Sequence, residues 1–142
     1  MNNSPIGVYD SGFGGLSVWR EIHRRLPEES LLYLGDGKNC PYGGRPREEI
    51  TAFAREAVER LIGEGVKMVV VGCNTATTAA VDALRAEWPD IPIVGLEPAV
   101  KPACLSSRTR RIAVLATAHS LQSDMFLNTA RRYAADVEVI KV

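Results

Sequence analysis

Short, continuous apolar runs alternate along the chain with longer stretches in which apolar positions recur every three to four residues. The short runs, at 6–9, 31–34, 66–71 and 93–96, are rich in Val, Ile and Leu and predict strands buried on both faces. The longer stretches predict helices. The clearest spans 46–62, where Ile50, Phe53, Ala54, Ala57, Val58, Leu61 and Ile62 repeat on one face, Pro46 suits the first turn and Gly63 suits the exit. A helix over 16–26 offers Trp19, Ile22 and Leu26, and one over 75–88 offers Ala76, Ala80, Leu84 and Trp88. Strands alternating with helices predict an α/β fold: a three-layer open parallel sheet with helices on both faces.

Glu97 and Pro98 close the fourth strand, and a polar stretch from Ser106 to Arg111 precedes a fresh β-α-β unit: strand 112–116, helix 120–135, strand 137–142. The break divides the chain into a first α/β domain over 1–98, a linker over 99–110 and the start of a second similar domain over 111–142. That last segment is too short to bury a core of its own and stops inside a strand, so the expectation is that more chain follows Val142. The pattern also fits one six-stranded sheet in which the last unit extends the first.

Charge and composition narrow the function. With 17 basic and 17 acidic residues in 142, no overall field draws the chain to nucleic acid or to an anionic membrane, and a small-molecule partner is expected. The apolar runs are too short to span a bilayer, and the first residues lack a charged segment followed by an apolar one. Cys40, Cys73 and Cys104 are odd in number and have no zinc-ligand spacing, so no metal site is expected; reduced thiols in a cytoplasmic protein fit best.

In an open parallel sheet, ligands meet the loops at the carboxyl ends of the strands. After the first strand come Asp10, Ser11, Gly12, Phe13, Gly14 and Gly15, a carboxylate and a hydroxyl followed by glycines that let backbone approach a ligand. After the second comes a loop from Gly35 to Gly44 that contains Asp36, Cys40, Pro41, Tyr42 and Gly43. After the third, Cys73 stands between Val69, Val70, Val71, Gly72 and the polar run Asn74, Thr75, Ala76, Thr77. This places a thiol at the open N-terminus of a helix, where unpaired N–H groups favour an anion, the setting of a reactive thiolate. A small buried core residue is the alternative for Cys73, an N-cap for Asp10 and Ser11, and a plain turn for Pro41, Tyr42 and Gly43.

Competing motifs fail or fall short. A tyrosine-phosphatase loop needs Arg six positions after its cysteine, where this chain has Ala79, and no Gly-Lys-Ser/Thr ending of a P-loop is present. A dinucleotide fingerprint is partly met by Gly12 and Gly14 with Asp36 at the second strand's end, but Ser17 replaces the third glycine and Asp10 would face the pyrophosphate. His119 lies on a ligand-side loop beside Ser120, a candidate helix cap. His23 sits in a basic helix, Cys40 and Cys104 have no activating neighbour, and Arg108 to Arg111 read as a solvated charge cluster.

The run Ile6 to Leu16, Gly35 and Asp36 with Pro41, Tyr42 and Gly43, the run Cys73 to Thr77, and Glu97 with Pro98 together resemble the glutamate racemases of the aspartate/glutamate racemase superfamily. The resemblance covers 6 to about 100 closely, and Thr117, Ser120 and Ser123 echo the following segment. It implies a cofactor-independent amino-acid racemase that supplies D-glutamate for peptidoglycan, with two cysteines on opposite faces of the substrate Cα. It implies Cys73 as one of that pair, Asp10 and Ser11 beside the substrate amino group and the reacting thiol, and Pro41, Tyr42, Gly43, Asn74 and Thr75 along the carboxylates. Gly37, Lys38 and Asn39 depart from the Thr-Ala-Arg of many relatives. The family's second cysteine, in a Cys-Thr-His segment, has no counterpart in this chain. The sequence therefore reads as a portion inactive alone that pairs with another copy or a complementing second-domain segment; the alternatives are a non-catalytic binding or dimerising remnant and a dinucleotide-binding half.

Overall fold

The computed structural model describes residues 3–96 and 98–142; Glu97, expected to close the fourth strand, lies outside the described residues. Four parallel strands, β1 (Ile6–Asp10), β2 (Leu31–Gly35), β3 (Met68–Val71) and β4 (Ile93–Gly95), form one sheet in the order β2-β1-β3-β4. Ile6 stands opposite Leu31 and Met68, Asp10 opposite Gly35, and Val71 opposite Gly95, so the carboxyl ends of all four strands share one edge.

Side-chain alternation explains the three layers. Tyr9, Val69 and Val71 point to the face covered by α2 (Arg47–Gly63) and α3 (Asn74–Glu87), where Ile50, Ala54, Val58, Leu61, Ala76, Ala80 and Leu84 complete the main core. Ile6, Val8 and Val70 point to the opposite face, against Val18, Trp19 and Ile22 of α1 (Leu16–Arg25). Burying side chains such as Ile50, Val58 and Leu61 contributes roughly 1.5–3 kcal/mol each. Helix α2 lies so close to β1 that a Cβ on Gly7 would stand 3.1 Å from Leu61 Cδ1. Pro46 sits just before α2 as its cap, and Gly65 (φ 78°) takes the left-handed conformation past its end, while Gly63 is the helix's last residue.

The second sheet is separate. Strands β5 (Arg111–Val114) and β6 (Glu138–Lys141) pair in parallel, and no bridge joins them to the first four among the described residues, so the six-stranded arrangement does not form. Two differences from expectation stand out. The segment expected as a linker carries a helix, α4 (Val100–Ser106), whose Val100 and Cys104, one turn apart, are buried with Phe126 and Val137 in a second core. The helix expected over 120–135 is two, α5 (Ala118–Gln122) and α6 (Asp124–Tyr133). Between them Ser123 adopts an extended conformation and its Oγ accepts the Phe126 N–H, ending one helix as it caps the next. No described helix is long and apolar enough to cross a membrane.

Candidate active site

The carboxyl ends of β1 and β3 bring the first and third loops together. Asp10, the last residue of β1, is buried, and its Oδ1 accepts the Gly12 N–H at 2.7 Å. The following glycines wrap the carboxylate: a Cβ on Gly15 would come within 2.6 Å of Asp10 Cβ, a contact no other residue type could make. Beside it the Ser11 hydroxyl stands 3.3 Å from Cys73 Sγ. Cys73 is the N-cap of α3, extended in conformation, and its sulfur accepts the Ala76 N–H at 3.4 Å. A thiolate here would receive hydrogen bonds from both Ser11 and Ala76, with the positive end of α3 behind it.

Cys73 is only 7% exposed, yet it opens onto a cavity of about 600 Å³ rather than into hydrocarbon alone. Asp10, Asn74 and Thr75 form the wall on the first sheet's side, and Thr117 and Ser120 form the wall on the second sheet's side. The two walls touch through hydroxyls: Thr75 Oγ1 lies 3.2 Å from Thr117 Oγ1, which lies 3.1 Å from Ser120 Oγ. Thr117 caps α5 by accepting the Ser120 N–H, so it, rather than Ser120, is the cap of that helix. In the sequence Thr117 and Ser120 stood out only as an echo of the family's following segment on a ligand-side loop; their meeting with Thr75 across the cavity is visible only in the fold.

The second loop reaches the site differently. Pro41 is exposed, and the Tyr42 ring is buried in the main core, its hydroxyl donating to Asp36 Oδ2 at 2.7 Å and lying 2.6 Å from the Tyr9 hydroxyl. Asn39 Nδ2 donates to both Asp36 oxygens, at 3.1 and 2.9 Å. Asp36 is thus spent on anchoring its own loop rather than offered to a ribose, which removes the main support for a dinucleotide site. What the Pro41 to Gly43 turn can offer a ligand is backbone. Gly43 abuts the second unit, where a Cβ would stand 2.7 Å from Thr117 Cγ2.

Burial raises the pKa of all three tyrosines around this corner. Tyr9 and Tyr42 are pushed far above the usual phenol range, chiefly by desolvation. Tyr33, whose hydroxyl donates to the Gly12 carbonyl at 2.7 Å, is pushed up to about 12 by burial first and then by the negative charges of Asp10 and Cys73. All three are therefore neutral hydrogen-bonding groups in the neutral range.

The remaining candidates fall elsewhere. His119 lines a separate polar cleft with Arg47, Asp82 and Asp124, and His23 stacks on Trp19. Cys40 is exposed on the second loop, its sulfur facing Gly12, and Cys104 is in the second core. Arg110 and Arg111 pair with Asp136 and Glu138.

Comparison with known proteins gives the chain's family. The Asp/Glu/Hydantoin racemase family matches residues 6–142. The chain belongs to that family. It is 50% identical to the glutamate racemase of Stutzerimonas stutzeri over 96% of its own length and 52% of the relative's. It is 43% identical to that of Clostridium acetobutylicum over 100% of its length and 56% of the relative's. Among solved structures, glutamate racemase from Escherichia coli in complex with L-glutamate and an activator superposes with a TM-score of 0.90 at 31% identity, over 98% of this chain and 53% of that one. An isoform from Bacillus anthracis superposes with a TM-score of 0.84 at 39% identity, over 99% and 53%. This racemase-family chain spans about half the length of the curated relatives it matches.

Proposed function

We propose that the chain provides one face of a glutamate racemase site, with Cys73 as the base that removes and returns the substrate's α-proton. The observation that carries this reading is the Cys73 sulfur held by the Ser11 hydroxyl and the Ala76 amide at a cavity wall that also carries Asp10. A Cα–H beside an ionised carboxylate is a very weak acid, so its removal needs an ionised base, donors aimed at the carboxylate and exclusion of water. In the proposed step the Cys73 thiolate forms an S–H bond with the α-proton. The Cα–H electron pair moves into the carboxylate, whose charge is met by Asn74 and Thr75. Asp10 and Ser11 lie beside the amino group, and the backbone of Pro41, Tyr42 and Gly43 meets the side-chain carboxylate.

Inversion needs an acid on the opposite face of Cα. Neither Cys40, on the exposed second loop, nor Cys104, in the second core, is positioned as that acid, so one face alone exchanges the proton without inverting the centre. A complementing second-domain segment, such as the longer relatives carry, is the partner this reading calls for; the residues divide at 1–98 and 111–142, with α4 between. The setting is cytoplasmic supply of D-glutamate for peptidoglycan.

The test is incubation of the chain with each glutamate enantiomer in heavy water, with aspartate as control, following Cα deuteration and optical rotation together. The expected outcome is deuteration of glutamate without inversion, reduced at least 100-fold in Cys73→Ser. No deuteration of either enantiomer would refute proton transfer by Cys73. Inversion by the chain alone would refute the need for a second segment.

A further inference from the structure

The Pro41 to Gly43 turn is oriented by its own carbonyls. The Pro41 carbonyl accepts Arg45 Nε at 3.1 Å and the Tyr42 carbonyl accepts the Arg45 N–H at 3.0 Å. The Arg45 guanidinium is fixed in turn by Glu49 at 2.6 Å and by the face of the Phe53 ring. Both carbonyls are thereby spent on one residue just before α2. The N–H groups of Tyr42 and Gly43 have no acceptor among the described residues, although Tyr42 is buried. Backbone donors left unpaired in such a place cost stability until an acceptor fills them, and a carboxylate oxygen does so.

A pair of buried hydroxyls sets where those donors stand. The Tyr42 hydroxyl gives its proton to the Asp36 carboxylate at 2.7 Å, so the Tyr9 hydroxyl, 2.6 Å away, is the donor to Tyr42. The bonds run from Tyr9 to Tyr42 to Asp36, and Asn39 Nδ2 completes the carboxylate's shell. Asp36, Asn39 and Tyr42 belong to one loop, so their mutual bonds fix its shape. Tyr9 belongs to β1, next to Asp10, and is fully buried, so its bond fixes the far end of that loop in place beside the site. Tyr9 itself does not line the cavity.

We propose that Tyr9 is a positioning residue that sets the length of the acid the site accepts, glutamate over aspartate. The inference rests on the racemase reading, in which Asn74 and Thr75 hold the α-carboxylate and the Pro41 to Gly43 backbone meets the side-chain carboxylate. The two acids differ by one methylene, about 1.5 Å of chain. Hydrogen-bond lengths span only about half an ångström, so one site can hold both carboxylates of both acids only if the turn moves. A turn tied through Tyr42 to β1 cannot follow the shorter acid. Tyr9 acts entirely through the Tyr42 hydroxyl, and its own hydroxyl is the group that does so.

Titration of the chain with L-glutamate and with L-aspartate, followed by NMR of the backbone amides, tests it, with Cα deuteration read on the same samples. The parent should bind glutamate about tenfold or more tighter than aspartate, the difference one hydrogen bond to a charged group makes. The Gly43 amide should shift with glutamate and not with aspartate. Tyr9→Phe removes only the hydroxyl, and the preference should fall to about threefold or less, through weaker glutamate binding and unchanged aspartate binding. Asn39→Ala, at a half-buried loop position away from the core, should move the preference the same way, and it carries the test if Tyr9→Phe does not fold. A Tyr9→Phe chain that keeps the parent's preference overturns the proposal, as do variants that weaken both acids equally, the mark of a general loosening. So does a parent that binds the two acids alike, or neither. Glutamate that binds with preference but gains no deuterium refutes Cys73 as the base and leaves Tyr9 in its role, which separates the two failures.

Discussion

The contact between Gly43 and Thr117 shows how narrowly the cavity's two walls are fitted. Thr117 holds its hydroxyl between Thr75 and Ser120, at 3.2 and 3.1 Å, so its methyl cannot rotate away from Gly43 without breaking both contacts. A methyl added at Gly43 would meet that Cγ2 at 2.7 Å, well inside van der Waals separation. Gly43→Ala is therefore expected to cost about 1–3 kcal/mol in urea denaturation. Thr117→Ser removes the offending methyl and keeps the hydroxyl. The double variant should recover most of the loss, and a double variant no more stable than Gly43→Ala alone would show that the strain lies elsewhere. Gly43 stood out in the sequence as part of a Pro-Tyr-Gly turn, but its reason for being glycine lies across the cavity, in a residue far along the chain. The same holds for Tyr42: its hydroxyl is spent on Asp36 and Tyr9, a pairing that only the folded sheet brings about.

At the scale of elements, periodicity was a good guide where a helix packs on the sheet and a poor one where side-chain capping decides. The apolar face of α2 was legible because Ile50, Ala54, Ala57, Val58 and Leu61 recur at helical spacing and are all buried. The placement of Cys73 and Asp10 was legible for a related reason: strand, polar turn, helix is a local pattern, and it set each of them at the carboxyl end of a strand, which the parallel pairing of β1 and β3 makes neighbours. The α5–α6 break was not, because apolar spacing runs through it and only the Ser123 side chain interrupts it. Its Oγ donates to the Ser120 carbonyl at 2.8 Å while accepting from Phe126 N–H at 3.2 Å. Helix α4 was missed because its seven residues, one of them Pro102, carry too little period to register. If Ser123 is what separates α5 from α6, Ser123→Ala should destabilise the second unit by about 1 kcal/mol. Hydrogen exchange should show it first at the Phe126 amide, and unchanged exchange there would mean that the break is set by packing alone.

For the molecule as a whole, the first unit closes its core with tyrosines rather than aliphatic residues at the site's base, and this ties stability to alkaline pH. Tyr9, Tyr33 and Tyr42 each keep the proton in the folded state to higher pH than an unfolded chain, which releases it near 10. Above that value the folded state binds more protons than the unfolded one, so stability falls as pH rises, by about 1.4 kcal/mol per pH unit for each proton retained. The contribution is fully present below pH 10. For Tyr33 the decline runs to about 12, and for Tyr9 and Tyr42 it continues beyond. Urea denaturation between pH 8 and 12 should show a plateau followed by a steepening loss. Tyr42→Phe separates this from general alkaline damage, because it deletes one retained proton and should make the loss above pH 10 shallower. It should also lower stability by about 1–3 kcal/mol at pH 8, since Asp36 loses a donor that Asn39 alone cannot replace. A Tyr42→Phe curve parallel to the parent's above pH 10 would place the alkaline sensitivity in other groups.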